Sequence, residues 1–131
     1  MTGTSLAVVS RFGTALNQNK LDEACALLHE DLVVHEAGGL PYSGDYHGPQ
    51  GFVDLLTAMT ENLELTPGPI DRAPLDDATV VSRFRLRFTA RLTGRSTEMN
   101  LVELYTVSDG LIIALDVYYK DPSAVTALLA T

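Results

Sequence analysis

The chain of 131 residues has a single cysteine, Cys25, which excludes an internal disulfide and points to a reducing, cytoplasmic setting. Basic residues are scarce. Lys and Arg number 9 against 17 Asp and Glu, a net charge of -8, which disfavours nucleic acid or an anionic membrane as partner. Long apolar runs are missing, so no membrane span is expected. The N-terminal MTGTSLAVVSRFG lacks the basic and apolar segments of a secretory signal. Histidine occurs 3 times, at positions without ligand-pair spacing, so no metal site is expected. There is no GxSxG, P-loop or dinucleotide glycine pattern, and a cofactor-independent protein follows as the expectation.

What remains is a chain with 46% hydrophobic residues and a length suited to one domain over residues 1–131. Leu6, Val9, Phe12, Gly13 and Leu16 recur at helical spacing and predict a helix over Ser5 to Asn17. A second helix is predicted from Leu21 to His29, with Cys25 packed beside Ala24 and Leu28. No cation flanks that thiol to activate it. Asp31 to Ala37 reads as a strand, and Pro49 suits the first turn of a third helix with Phe52, Leu55, Leu56, Met59 and Leu63 as its buried stripe. Pro67, Gly68, Pro69 and Pro74 mark a loop or edge segment. The remainder alternates as three strands, Val80 to Arg91, Arg95 to Val107 and Leu111 to Tyr119, separated by Thr93-Gly94 and Asp109-Gly110 turns. The expected class is α+β, three N-terminal helices on a curved, mainly antiparallel sheet.

The stretch from Val33 to Phe52 gathers His35, Glu36, Tyr42, Asp45, Tyr46 and His47 near a strand end and a glycine-rich loop, which is the composition of a ligand-site wall or mouth. The order Leu32, Val34, Glu36 turns Glu36 inward and His35 outward, where a sheet-surface role suits the histidine better than catalysis. Tyr42 and Tyr46 could each bond a ligand oxygen or pack the loop. Asp45 and His47 read as solvated loop residues.

A two-residue Thr93-Gly94 loop would pair Phe88 with Met99, Leu86 with Leu101 and Phe84 with Glu103. Glu103 then sits on the apolar face with Tyr105, whereas a one-residue slip would turn it to solvent. An ionised carboxylate on an apolar face is costly, so its pKa should rise. Asp116 is left with two placements. A two-residue Asp109-Gly110 loop puts it opposite Glu103, and a three-residue loop puts Leu115 there instead. Of Tyr118 and Tyr119, one should face inward. The arginines at 83, 85, 87, 91 and 95 alternate with apolar residues and are expected to face solvent, pair with Glu98 or line a dimer interface.

RFGTALNQNKLDEACALLHEDLVVHEA, LPYSGDYHGPQGF, VELYTVSDGLI and DVYYKDPSAV, in that order, resemble the nuclear transport factor two-like superfamily, the cone-shaped fold of ketosteroid isomerase and the SnoaL-like polyketide cyclases. The resemblance implies a deep pocket and commonly a homodimer formed through the outer sheet face, where Val102 and Leu104 are apolar. By that resemblance Glu36 falls at the general-base aspartate of ketosteroid isomerase and Glu103 at its protonated aspartate. Phe12 replaces the third catalytic group, a tyrosine, which argues against steroid isomerisation. The histidine and asparagine positions of the anthracycline cyclases are not recognisable. In related epoxide-opening cyclases a second acid comes from near Glu64.

The catalytic candidates are therefore Glu36, Glu103 and Asp116. A hydrophobic oxygenated substrate, polyketide-like by resemblance, would lie against Phe12, Tyr42, Tyr46, Met59, Phe84, Phe88, Tyr105 and Tyr119. Ring closure, isomerisation and dehydration all fit a base paired with a neutral acid. The competing class is a non-catalytic module for a small ligand or a partner protein. Epoxide hydrolysis ranks third, because no arginine precedes Glu103 at a matching inward position.

Overall fold

The computed structural model describes residues 4–130. Helix α1 (Ser5–Asn17) starts at Thr4, whose Oγ1 accepts the Ala7 amide at 3.1 Å. A single turn, α2 (Leu21–Cys25), leads into β1 (Leu28–Glu36). The predicted second helix thus ends four residues early, because Leu28 and His29 already belong to the strand. Cys25 is partly buried, and burial, with the nearby Asp22, raises its thiol pKa.

A short strand, β2 (Gly44–His47), pairs with β1 where a loop was expected, and α3 (Gly48–Asn62) follows with Pro49 in its first turn. The proline-punctuated segment is a full strand, β3 (Leu63–Pro74). It tolerates Pro67, Pro69 and Pro74 because it lies at the sheet edge, where a missing N–H costs no ladder bond. Strands β4 (Thr79–Ala90), β5 (Ser96–Ser108) and β6 (Leu111–Tyr119) form the meander, and α4 (Pro122–Leu129) closes the chain. That last helix, not anticipated from the sequence, buries Val125.

The six strands run in the order β2-β1-β6-β5-β4-β3, antiparallel except for the β1–β6 pair. The sheet is open and curved, and α1 and α3 pack inside it: Phe12 meets Phe52 at 5.3 Å and Tyr105 at 6.0 Å between ring centroids. The arginines alternate outward as expected. Arg85 and Arg87 both hold Glu98, the latter at 3.1 Å, and Arg83 reaches Asp71 at 3.3 Å.

Three registers place the pocket. Between β4 and β5 the loop is longer than two residues, with the Ala90 amide bonded to the Arg95 carbonyl. Leu86 therefore faces Met99 and Phe84 faces Leu101, with Ser82 opposite Glu103. The displacement from the expected register is two residues, which preserves the face, so Glu103 still points inward. Between β5 and β6 the turn is the two-residue one, with Asp109 and Gly110 at φ 53° and 76°. A bulge at Ile113 then shifts the register, so Val117 opposes Glu103 and Asp116 opposes Leu104 on the outer face. Asp116 is thereby turned away from the pocket, and the sequence reading that placed it with the acids is corrected. In β3 a bulge at Gly68-Pro69 does the reverse: it directs Asp71 outward and brings Arg72 to the inner face, opposite Ser82.

Candidate active site

Between the concave sheet, α1 and α3 lies a cavity of about 470 Å³. That volume suits a small organic ligand. Its walls are mostly apolar, and the polar groups that reach it are few: Glu36, Arg72, Ser82, Glu103, Tyr105 and Tyr119 among them. The open side is set by Asn17, Asn19, Thr60, Pro67 and Ile70, the exposed members of the lining. The entrance therefore lies between the ends of α1 and α3 and the edge strand β3. The Val33 to Phe52 stretch, expected to form the mouth, forms the closed end instead.

Glu36 enters from the end of β1, after the buried Leu32 and Val34, while His35 points outward and meets Asp45 at 2.8 Å. One carboxyl oxygen of Glu36 accepts the Ala37 amide at 2.9 Å. Burial raises its pKa from 4.5 to about 7, against the opposing effect of that amide, and the charge of Glu103 adds to the rise. Glu103 comes from the middle of β5. It is partly buried and lines the cavity, and the Tyr105 hydroxyl donates to its Oε1 at 2.9 Å. Burial raises the Glu103 pKa too, opposed by that hydrogen bond and by the positive charge of Arg72. Tyr105 itself is held well above its ordinary value, first by burial and then by Glu103.

The tyrosines of the closed end divide their roles. Tyr119 lines the cavity and shares a 2.9 Å hydrogen bond with Tyr42, which lies buried behind it. Both hydroxyls are raised in pKa, chiefly by burial and further by the neighbouring Glu36. Tyr46 donates to the Tyr42 carbonyl at 2.7 Å and so packs the loop rather than reaching ligand space. Phe88 is fully buried beneath the cavity wall, stacked on Tyr119 at 5.7 Å. Phe12, Met59, Phe84, Tyr105 and Tyr119 line the cavity, whereas Tyr42, Tyr46 and Phe88 lie behind it. Glu64, exposed on β3 opposite Thr89, is outside the lining. Tyr118 is the outward member of its pair, 54% exposed.

Sequence reasoning missed Arg72 and Ser82. The alternation of Val80, Ser82, Phe84 and Leu86 already put the serine on the inner face, so a signal for it existed. For Arg72 there was none, since a bulge between two prolines decides its direction. The site holds a weakly acidic carboxyl, a second carboxyl kept in apolar surroundings and hydroxyl donors. It can move a proton and stabilise charge on oxygen. Among the described residues no three His, Cys, Asp or Glu side chains are grouped to hold a metal, and no helix is long and apolar enough to cross a membrane.

The sequence model of the SnoaL-like domain matches residues 9–115. The chain belongs to the SnoaL-like domain family. Comparison with curated proteins gives no match. Among solved structures, a nuclear transport factor two-like protein from Burkholderia thailandensis superposes with a TM-score of 0.88 at 20% identity, covering 98% of this chain and 99% of that one. A candidate polyketide cyclase from Xanthomonas campestris pv. campestris gives 0.78 at 18% identity, covering 95% and 96%. TerC, co-crystallised with polyporic acid, gives 0.81 at 13% identity, covering 96% and 98%. At these identities the likeness establishes the cone fold. The SnoaL-like chain shares the fold with them, and its own residues must specify the chemistry.

Proposed function

We propose that this SnoaL-like protein is a cofactor-independent cyclase or isomerase acting on a hydrophobic oxygenated, polyketide-like molecule. The observation that carries the reading is the joint presence of Glu36 and Glu103 in one apolar cavity, each with a raised pKa. With a pKa of about 7, Glu36 is partly ionised near neutrality and basic enough to take a proton from an activated carbon or hydroxyl. Glu103, whose burial holds its proton more tightly than that of an exposed carboxyl, is the group to donate a hydrogen bond or proton to the oxygen on which negative charge develops. Tyr105 orients the Glu103 carboxyl, and the Tyr119–Tyr42 pair offers a hydroxyl beside Glu36. The candidate polyketide cyclases among the structural relatives favour the same substrate class. The outer sheet face, with Val102 and Tyr118 exposed, is the surface through which we expect two copies to pair, a point sedimentation analysis decides.

Proton abstraction inside the cavity can be tested without the natural substrate. Base-promoted ring opening of nitrobenzisoxazole should be accelerated by the protein and follow the ionisation of Glu36. Glu36→Gln should remove the acceleration while retaining the affinity for the product phenolate. A protein that binds the probe and gives no acceleration in either form is the non-catalytic module instead. A second reading, water addition to an epoxide, is favoured by one observation, the inward Arg72 one strand beyond Ser82 from Glu103. Diol formation from an apolar epoxide would distinguish it.

A further inference from the structure

One row of inward side chains crosses three strands: Arg72 on β3 opposes Ser82 on β4, which opposes Glu103 on β5. All three line the cavity. Ser82 is 2% exposed, and its Oγ has no hydrogen-bond partner among the described residues. A buried hydroxyl left unmatched is costly, so a partner from outside the chain is implied. Arg72 makes no hydrogen bond or ion pair with any described residue, although Asp71 beside it is matched with Arg83 on the other face.

The opposing helix is cut away for this arginine. A Cβ built on Gly13 would lie 2.0 Å from Arg72 Nη2. Glycine inside a helix costs about 1 kcal/mol relative to alanine, and the missing side chain at Gly13 leaves room for the guanidinium to lie against α1 at the cavity wall.

We propose that Arg72 and Ser82 form an oxyanion-binding subsite, seated in the gap at Gly13, and that the substrate therefore carries a planar anionic oxygen group, a carboxylate or an enolate, on its apolar body. The inference rests on the acid–base reading of the same cavity and adds the charge of the substrate to it. A guanidinium offers two parallel N–H donors to such a group, and a low-dielectric wall strengthens both bonds. Ser82 supplies a third donor. Glu103 is next in the row and lines the same cavity. The head group anchored near β3 would project the rest of the molecule across the cavity toward Glu36 at the closed end.

Binding of naphthoate and of neutral naphthamide, followed by calorimetry at mildly acidic pH, tests the subsite. Hydroxynaphthoquinone, an enolate donor, and its neutral methoxy ether form the second arm and separate the two sources of oxyanion. The native protein should prefer at least one anion over its neutral partner by about tenfold or more, the scale of a charge-assisted pair. Arg72→Gln should reduce that preference to within about twofold. Gly13→Ala, which favours the helix and displaces only the guanidinium, should do the same without lowering the melting temperature, which guards against misreading an unfolded variant. Equal affinity for anionic and neutral probes, or a preference that survives both substitutions, would overturn the subsite while leaving the cavity as a binding site. Failure of all four probes to bind the native protein would contradict the cavity reading itself.

Discussion

Strand β5 carries two glutamates five residues apart, and the odd spacing sends them to opposite faces of one sheet. Glu98 faces out and is held by Arg85 and Arg87, which lower its pKa. Glu103 faces in, enclosed with only a tyrosine hydroxyl bonded to it, and burial raises its pKa. The backbone and residue type are the same, so the environment alone sets the chemistry. A carboxylate with two cations in water stays ionised and does little else. A carboxyl taken out of water without an ion pair holds its proton to higher pH and is available as an acid.

The sharpest way to break this contrast is to neutralise one acid of the inner face. Glu36→Gln should lower the rate of probe ring opening by between about a hundred and ten thousandfold, the range for losing a positioned base. Steady-state rates on a probe that still binds would show it. A loss of only a few-fold would mean that burial of Glu36 has no catalytic purpose.

Stability against pH is the next largest effect. The folded pKa of Glu36 is raised, so the stability that its protonated form contributes is complete below pH 4.5 and is lost as pH rises through about 7. The interval from 4.5 to about 7 corresponds to about 3 kcal/mol. Denaturant titrations at mildly acidic and mildly alkaline pH should show the native protein weakening across that window and Glu36→Gln weakening less. An unchanged pH dependence in the variant would contradict the raised value.

Glu103→Gln should slow the probe reaction by about tenfold, because the amide still donates to oxygen but cannot release a proton, and Glu103→Leu should slow it by about a hundredfold. Equal effects of the two variants would favour proton transfer over hydrogen bonding. The smallest effect belongs to the other face: Glu98→Gln should change the rate by less than about twofold, since exposed ion pairs contribute little. A large effect there would dissolve the distinction between the two faces.

The parts of this arrangement that sequence reveals are those set by strict period. The alternation through Phe84, Leu86 and Phe88 settles which face is buried, and the expected β4–β5 register was wrong by two residues without consequence, since two is the period of a strand. Glu36 and Glu103 were legible for that reason. Asp116 and Arg72 were not, because each lies beyond a single-residue bulge that reverses parity. Prolines left β3 open between a loop and an edge segment, since only a place at the edge makes them acceptable in a strand, and edge position is a tertiary property. Tyr42, Tyr46 and Phe88 were expected to touch the ligand and instead lie behind the lining, because nothing in their spacing distinguishes a side chain that touches ligand from one that supports its neighbour. The position of the entrance depends on how far the ends of α1 and α3 stand from β3, which local pattern does not encode.

One cavity holds two carboxyl groups, Glu36 and Glu103, both raised in pKa by burial. Carbon-detected NMR titration of the glutamate carboxyls, with Glu36→Gln and Glu103→Gln spectra supplying the assignments, measures this directly. Glu36 should titrate at about 7, and Glu103 above the ordinary carboxylate range. Titration of both groups within the ordinary carboxylate range would contradict the acid–base reading of the cavity.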